Sequence, residues 1–101
     1  MVISAAPDVL RLVADPLRAR IVEFLAEGPA CTCHLVEELG ATQSNISNHL
    51  RVLREAGLVA AEPRGRFTYY RLLPEPLEAA AGHLTTLATR ARDTADTRQE
   101  C

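Results

Sequence analysis

The chain has 101 residues, a net charge of −2 and 48% apolar residues, which suits one globular domain and excludes a disordered polymer. No apolar run approaches the roughly 20 residues that a membrane helix needs. Its three cysteines are an odd number and a poor disulfide framework for a secreted domain. We therefore expect a cytosolic protein with reduced thiols and no membrane partner.

Charge is distributed unevenly along the sequence. Residues 43–72 carry five Arg against two Glu, a net charge of +3, while the rest of the chain carries a net −5. All eleven basic residues are Arg. A basic segment inside an acidic body is typical of a protein that contacts nucleic-acid phosphates with one face.

The first 40 residues predict three helices. The first covers residues 7–14. Asp15 and Pro16 then form an N-cap and a first helical position, and the apolar period of the second helix continues to residue 26. A Gly–Pro pair ends that helix. The third helix covers residues 32–39 and ends at Gly40, a residue type that favours a helix C-terminus.

A fourth helix begins after the N-cap Thr42 and ends near Gly57. Ile46, Leu50 and Leu53 form its apolar stripe. The other side has hydrogen-bonding side chains and no acid before Glu55; they are Gln43, Ser44, Asn45, Ser47, Asn48, His49, Arg51 and Arg54. Such a face offers donors and acceptors to base edges and phosphates without negative charge.

A β-hairpin follows, with strands at residues 58–62 and 66–72 and a turn at residues 63–65. Arg64 and Arg66 flank the glycine at its tip. Tyr69 and Tyr70 fit the strand pattern better than a base-stacking role. A last helix with a stripe of Leu and Ala covers residues 75–92. The pattern predicts one domain, residues 1–92, and a flexible tail, residues 93–101.

This order, ααααββα, predicts a mostly α winged helix-turn-helix with a small β-hairpin. With the phrases DPLRARIVEFL, SNISNHLRVLREAGLV and GRFTYYRL in this order and spacing, it closely resembles the ArsR/SmtB family of bacterial metal-responsive repressors over residues 9–87. The resemblance implies a homodimer joined through its first and last helices. It also implies repression of a double-stranded DNA operator until an inducer binds. A two-fold dimer predicts a roughly palindromic operator.

The resemblance and the residue chemistry agree on the DNA contacts. The fourth helix is predicted to enter the major groove. Base readout is expected from Gln43, Ser44, Asn45, Ser47 and Asn48, phosphate contact partly from Thr42, His49 and Arg51, and wing contact from Arg64 and Arg66. For His49 the alternative is that its ring packs or caps within the domain.

The stretch CTCH, residues 31–34, carries the candidate metal site. Side chains two positions apart on a regular helix point about 200° apart. Cys31 and Cys33 therefore converge only if Cys31 lies in extended chain before the helix and Cys33 in its first turn. The resemblance connects a CxC at this place with arsenite and antimonite sensing, and with a branch that senses cadmium and lead.

Two thiolates are too few for a tight soft-ion site, so a third donor is needed. The resemblance to arsenic sensors implies a thiol one turn further along, but Val36 stands there. Cys101 is the leading candidate, because the tail after Asp93 spans up to about 26 Å when extended. His34 and an external thiol are the alternatives. The histidine pattern of zinc-sensing relatives is incomplete, because His83 lacks a second histidine along its helix.

We expect a repressor that needs no cofactor to bind DNA and releases it when trivalent arsenic or antimony binds Cys31, Cys33 and Cys101. Cadmium or lead as the inducer, and a thiol redox switch, are the alternatives within the same fold. A thiol-transfer or metal-carrying protein would leave the acid-free helix face and the basic wing unexplained. A winged helix used for protein contacts alone is a third alternative, which a DNA-binding assay tests. The sequence has no catalytic constellation, so we do not expect an enzyme.

Overall fold

The structure, a computed structural model, describes the backbone of residues 5–98 and the side chains of residues 9–98. In this range five helices and three strands follow one another. They are α1 (Ala5–Ala14), α2 (Pro16–Leu25), β1 (Ala30–Cys31), α3 (Thr32–Leu39), α4 (Gln43–Glu55), β2 (Val59–Arg64), β3 (Phe67–Leu72) and α5 (Pro74–Asp93). The predicted mostly α fold with a small β-hairpin is confirmed.

The ends of the helices follow from a few local residues. The side chain of Asp15 accepts a hydrogen bond from the backbone N–H of Arg18 and caps α2, with Pro16 in the first turn. At the end of α3, Gly40 adopts φ 68° in the left-handed region, where a residue without Cβ is favoured. The first boundary lies between α1 and α2, and the second lies between α3 and α4.

The core is formed by the inward faces of α2, α3 and α4. Six of its side chains are completely buried: Ile21, Leu35, Ile46, Leu50, Leu53 and Leu58. The apolar stripe predicted for α4 supplies three of them. Because α3 and α4 share this core, a change at the start of α3 has a packed route to α4.

The sheet has the strand order β1-β3-β2, and all pairs are antiparallel. Strand β1 was not predicted; it pairs Ala30 with Tyr70 and Cys31 with Tyr69. The predicted turn at residues 63–65 was wrong, because Pro63 lies inside β2 opposite Thr68 and β2 runs on to Arg64. Proline is tolerated there because β2 is an edge strand, where a missing N–H costs no ladder bond.

Helices α1 and α5 pack against each other beside this core. Val9 and Ala80 are buried, whereas Leu10, Leu84 and Leu87 are between 38% and 45% exposed. The described chain measures 61 × 29 × 25 Å, an elongated shape for its size. The division into residues 1–92 and 93–101 stays a prediction, since α5 ends at Asp93 and the last residues lie outside the described part.

Candidate functional site

The N-terminal half of α4 presents the predicted DNA-reading face. The Thr42 hydroxyl accepts the backbone N–H of Asn45 at 3.2 Å and caps the helix. The burial of Ile46, Leu50 and Leu53 turns the opposite side of the helix to solvent. The exposed residues of this side include Gln43, Ser44, Asn45, Ser47, Asn48 and Arg51, which we call the reading face. Arg51 contacts Asn48 Oδ1 and lies 3.7 Å from Glu55.

His49 lies on the boundary of this face, and its ring is directed inward. Its side chain is 15% exposed, with Nδ1 3.3 Å from Nη1 of Arg18 and Nε2 4.0 Å from Oδ2 of Asp15. Guanidinium only donates, so Nδ1 must accept and the ring proton belongs on Nε2, facing the carboxylate. The ring of His49 is thus directed into the domain, which corresponds to the alternative to phosphate contact. We do not include His49 in the reading face.

Asp15 and Arg18 also hold the junction of α1 and α2. Arg18 donates from Nε to the carbonyl oxygen of Leu12 at 2.8 Å, and Asp15 Oδ2 accepts the Arg18 backbone N–H at 3.0 Å. That hydrogen bond is the main reason why the pKa of Asp15 is lowered. One arginine therefore connects the end of α1 to the middle of α4.

The wing is the hairpin formed by β2 and β3. Glu62 accepts hydrogen bonds from Arg71 Nε and Arg64 Nη2, both at 3.2 Å, and these bonds lower the pKa of Glu62. The Arg64 guanidinium also lies 4.8 Å from the centre of the Tyr69 ring. Arg64 is thus held along the strand, whereas Arg66 stands exposed in the tight turn. The two predicted wing contacts have different surroundings.

The two thiols converge through an irregular helix start. Cys31 has extended backbone, φ −87° and ψ 167°, and is the N-cap of α3, while Cys33 lies in the first turn. Their Cα atoms are 5.4 Å apart and their Sγ atoms are in disulfide contact. Cys31 is only 3% exposed and Cys33 is open to solvent. The expected convergence is present, with Cys31 itself as the N-cap.

His34 supplies a further donor beside the thiols. One ligand atom each of Cys31, Cys33 and His34 lies within 4.8 Å of the others. The two thiolates suit the expected thiophilic inducers, whereas the imidazole suits zinc or cadmium better than arsenic. Cys101, the third ligand favoured by the sequence, lies outside the described residues.

A groove connects the thiols with the reading face and the wing. Its volume is about 300 Å³, and it is lined by Cys31, Thr32, Cys33, Gln43, Arg66, Phe67, Thr68 and Tyr70. Sequence reasoning missed this groove, because the contact of the start of α3 with the wing depends on β1. The pairing of Cys31 with Tyr69 brings the two together.

Comparison with known proteins connects this architecture to a family. The family model described as bacterial regulatory protein, arsR family, matches residues 15–61. CmtR of Mycobacterium tuberculosis, an HTH-type transcriptional regulator, is 40% identical over 98 residues, which are 97% of this chain and 80% of CmtR. This chain belongs to the ArsR family. ArsR1 of Pseudomonas putida, an arsenic resistance transcriptional regulator, is 43% identical over 72% of this chain and 58% of its own length.

Solved structures agree with the ArsR fold. One, a possible transcriptional regulator for arsenical resistance, superimposes with a TM-score of 0.72 and 35% identity over 97% of this chain and 100% of its own. A homodimeric winged helix-turn-helix DNA-binding domain from Mycobacterium bovis gives a TM-score of 0.67 at 23% identity, over 95% of this chain and 88% of its own. The fold is a winged helix-turn-helix.

ArsR-family membership makes this chain a transcriptional regulator that binds DNA through its helix-turn-helix, and not an enzyme. Helices α3 and α4 are the two helices of that motif, and β2 and β3 are the wing. Among the described residues, no helix combines the length and apolar character needed to cross a membrane.

Proposed function

We propose that this ArsR-family protein is a homodimeric repressor that releases its operator when trivalent arsenic or antimony binds Cys31 and Cys33. The observation that carries the proposal is the position of the two thiols. Cys31 belongs to β1, which is paired with wing strand β3, and Cys33 belongs to α3, which packs on α4. An ion held by both thiols would constrain the wing strand β3 and helix α3, which packs on α4, at the same time.

The proposed interface with DNA consists of the reading face, Thr42 and the wing. Gln43, Ser44, Asn45, Ser47 and Asn48 would read base edges, and Arg51, Arg64 and Arg66 would contact the backbone or the minor groove. Exposed amide and hydroxyl groups without an acid before Glu55 support this assignment. His49 would act by holding α4 and not by touching phosphate.

The proposed dimer uses α1 and α5. Leu10, Leu84 and Leu87 expose apolar side chains on these helices, and burying them against a second copy would remove that surface from water. The solved Mycobacterium bovis relative is homodimeric. Two copies would place two reading helices on one face of a roughly palindromic operator.

Arsenic and antimony are favoured as inducers because the two thiols converge and the exposed Cys33 leaves one side of the pair open to solvent. The resemblance to ArsR1, an arsenic resistance regulator, supports this choice. Cadmium or lead is the alternative, and His34 as the third donor would favour cadmium, since imidazole suits cadmium better than arsenic. Cys101 remains a proposed ligand whose position the described residues do not include.

A second candidate function is a thiol redox switch, and the disulfide contact between Cys31 and Cys33 is the observation that favours it. Peroxide would take two electrons and two protons from the thiol pair and leave as two molecules of water. The product would be held in the same place as the proposed ion.

Operator binding followed by fluorescence anisotropy tests both functions. Arsenite added to the reduced wild-type dimer should release the DNA, and the Cys31→Ser/Cys33→Ser variant should stay bound. Release from this double variant would contradict the proposed site, and release by peroxide but not by arsenite would establish the redox switch. A Cys101→Ser variant should respond more weakly only if Cys101 completes the site.

A further inference from the structure

We propose that the groove beside Cys31 and Cys33 binds a small thiol that carries a carboxylate, and that this external thiol is the third ligand of the bound ion. The inference rests on the proposed function, because it names the partner that completes the same site. It assigns to Arg66 the role of binding the carboxylate.

The need for an external donor follows from the surroundings of the thiols. Cys31 and Cys33 provide two sulfurs, and His34, exposed and edge-on to the Tyr69 ring at 6.2 Å, provides an imidazole that suits trivalent arsenic poorly. The third sulfur is then either that of Cys101, which lies outside the described residues, or that of an external thiol, and the open groove beside Cys33 favours the external thiol. Cys33 is exposed and lines the groove, so a ligand in the groove reaches the ion without displacing His34.

The charge of the groove selects the kind of thiol. Arg66 is the one charged side chain among the described residues that line it; the others offer hydroxyls, an amide and aromatic rings. On the other side of the site, the groove beside His34 is lined by Glu27, Glu37 and Glu38. An anion is therefore attracted on the Arg66 side and repelled on the His34 side. The volume of about 300 Å³ suits a small molecule.

The binding step is a ligand exchange without a change of oxidation state. Arsenous acid has three As–OH bonds, and two protein thiols and one external thiol supply three S–H bonds. Three As–S bonds form, and each released hydroxide leaves with a thiol proton as water, three waters in all. The external carboxylate then lies by Arg66.

The occupied groove would oppose DNA binding directly. Arg66 is a proposed wing contact and Gln43 belongs to the reading face, and both line the groove. A carboxylate paired with Arg66 would remove a positive charge from the wing and bring a negative one towards the phosphates.

Three short thiols that differ in charge test the inference: 3-mercaptopropionate (negative), 2-mercaptoethanol (neutral) and cysteamine (positive). The 101-residue chain is reduced with a phosphine, mixed with arsenite and each thiol in turn, and examined by native mass spectrometry. We expect a protein–arsenic–thiol adduct that forms at about three- to fivefold lower concentration with the anionic thiol than with the neutral one, as for an exposed ion pair. Cysteamine should be the weakest.

Variants at the wing separate the effect of Arg66 from intrinsic differences between the three thiols, because every variant is compared with the same three thiols. Arg66→Gln should abolish the preference for the anionic thiol, and Arg66→Lys should retain it. Arg64→Gln is the matched control, because Arg64 is held by Glu62 and Tyr69 outside the groove. Circular dichroism of each variant checks that it is folded.

The outcomes separate this inference from the proposed function. Arsenic bound through Cys31 and Cys33 without any thiol in the adduct, equal adducts with all three thiols, or an unchanged preference in Arg66→Gln would overturn the inference and leave the thiol site intact. Failure of arsenite to bind the reduced wild-type protein in the presence of each of the three thiols would overturn the proposed function itself.

Discussion

Arg18 and His49, 31 positions apart in the chain, join α2 to α4 through Nη1 and Nδ1 at 3.3 Å. The same guanidinium binds the Leu12 carbonyl oxygen at the end of α1. Since α1 packs on α5, this contact connects the proposed dimer helices with the reading helix α4. We therefore expect the orientation of α4 relative to the axis of the proposed dimer, and with it the spacing of the half-sites, to depend on this contact.

Replacing His49 tests that connection. His49→Leu nearly keeps the volume but leaves Nη1 of Arg18 without its acceptor, so we expect the free energy of unfolding to fall by about 1 kcal/mol or more. Operator affinity should fall too, although no proposed DNA contact is removed. His49→Asn keeps an acceptor near the position of Nδ1 and should restore part of both. Urea denaturation and anisotropy measure the two effects, and full operator affinity in His49→Leu would refute the link.

The Asp15 cap predicts a pH dependence of stability. The pKa of Asp15 is lowered below its ordinary 3.8, mainly by the Arg18 N–H, so the carboxylate stabilises the fold above that value. The contribution should disappear as the pH falls through the lower folded-state pKa.

Two substitutions at position 15 separate charge from capping. Asp15→Asn keeps a capping oxygen without the charge and should lose part of the wild-type stability at pH 7, with a difference that narrows towards pH 3. Asp15→Ala should be the less stable of the two at pH 7. Urea denaturation from pH 7 to 3 checks this. If the free energy of unfolding differs between the wild type and Asp15→Asn by the same amount at every pH, the charge of the carboxylate is not the source of the difference.

Asn45 and Arg51 should affect DNA binding in different ways. Asn45→Ala should cost about 1–3 kcal/mol of discrimination between operator and random DNA, because an amide reads a base edge. Arg51→Ala should weaken binding to both duplexes similarly. It should also lower the slope of log affinity against log salt concentration by about 1. Anisotropy titrations at several salt concentrations distinguish them. Loss of affinity for both duplexes in Asn45→Ala would argue against base readout.

Glu62 restrains the positive charge of the wing. It accepts from both Arg64 and Arg71, so Glu62→Gln should weaken its hold on the two guanidinium groups, because the amide keeps only one accepting oxygen, and should make the net charge more positive by one. We expect tighter binding to DNA of any sequence at low salt, with a difference that shrinks as salt rises. Glu78→Gln, an exposed change on α5, is the control of equal charge. Equal effects of the two variants would show that only net charge matters.

The helices could be predicted because each has strong local signals. Asp15–Pro16, Thr42 and Gly40 mark their ends, and the spacing of Ile46, Leu50 and Leu53 identifies the buried side of α4. The convergence of the thiols also followed from the sequence, because regular helix geometry forces them apart and only an extended Cys31 brings them together.

The features that the sequence missed depend on distant partners. Strand β1 has two residues, too few for any periodicity, and it exists because Tyr69 and Tyr70 lie beside it. The inward direction of His49 was one of two alternatives left open by the sequence, because its partner Arg18 is far away in the chain. The groove beside the thiols follows from β1, and so it could not be predicted without the sheet.

Arsenite binding with and without operator DNA tests the central claim most directly. If the ion at Cys31 and Cys33 weakens operator binding, the operator must weaken arsenite binding by the same factor, because the two equilibria are linked. Titrating the reduced dimer by its arsenic–thiolate absorption, alone and saturated with operator duplex, measures that factor. We predict a lower arsenite affinity in the DNA complex, equal in size to the loss of operator affinity. The same arsenite affinity in both states would contradict the account.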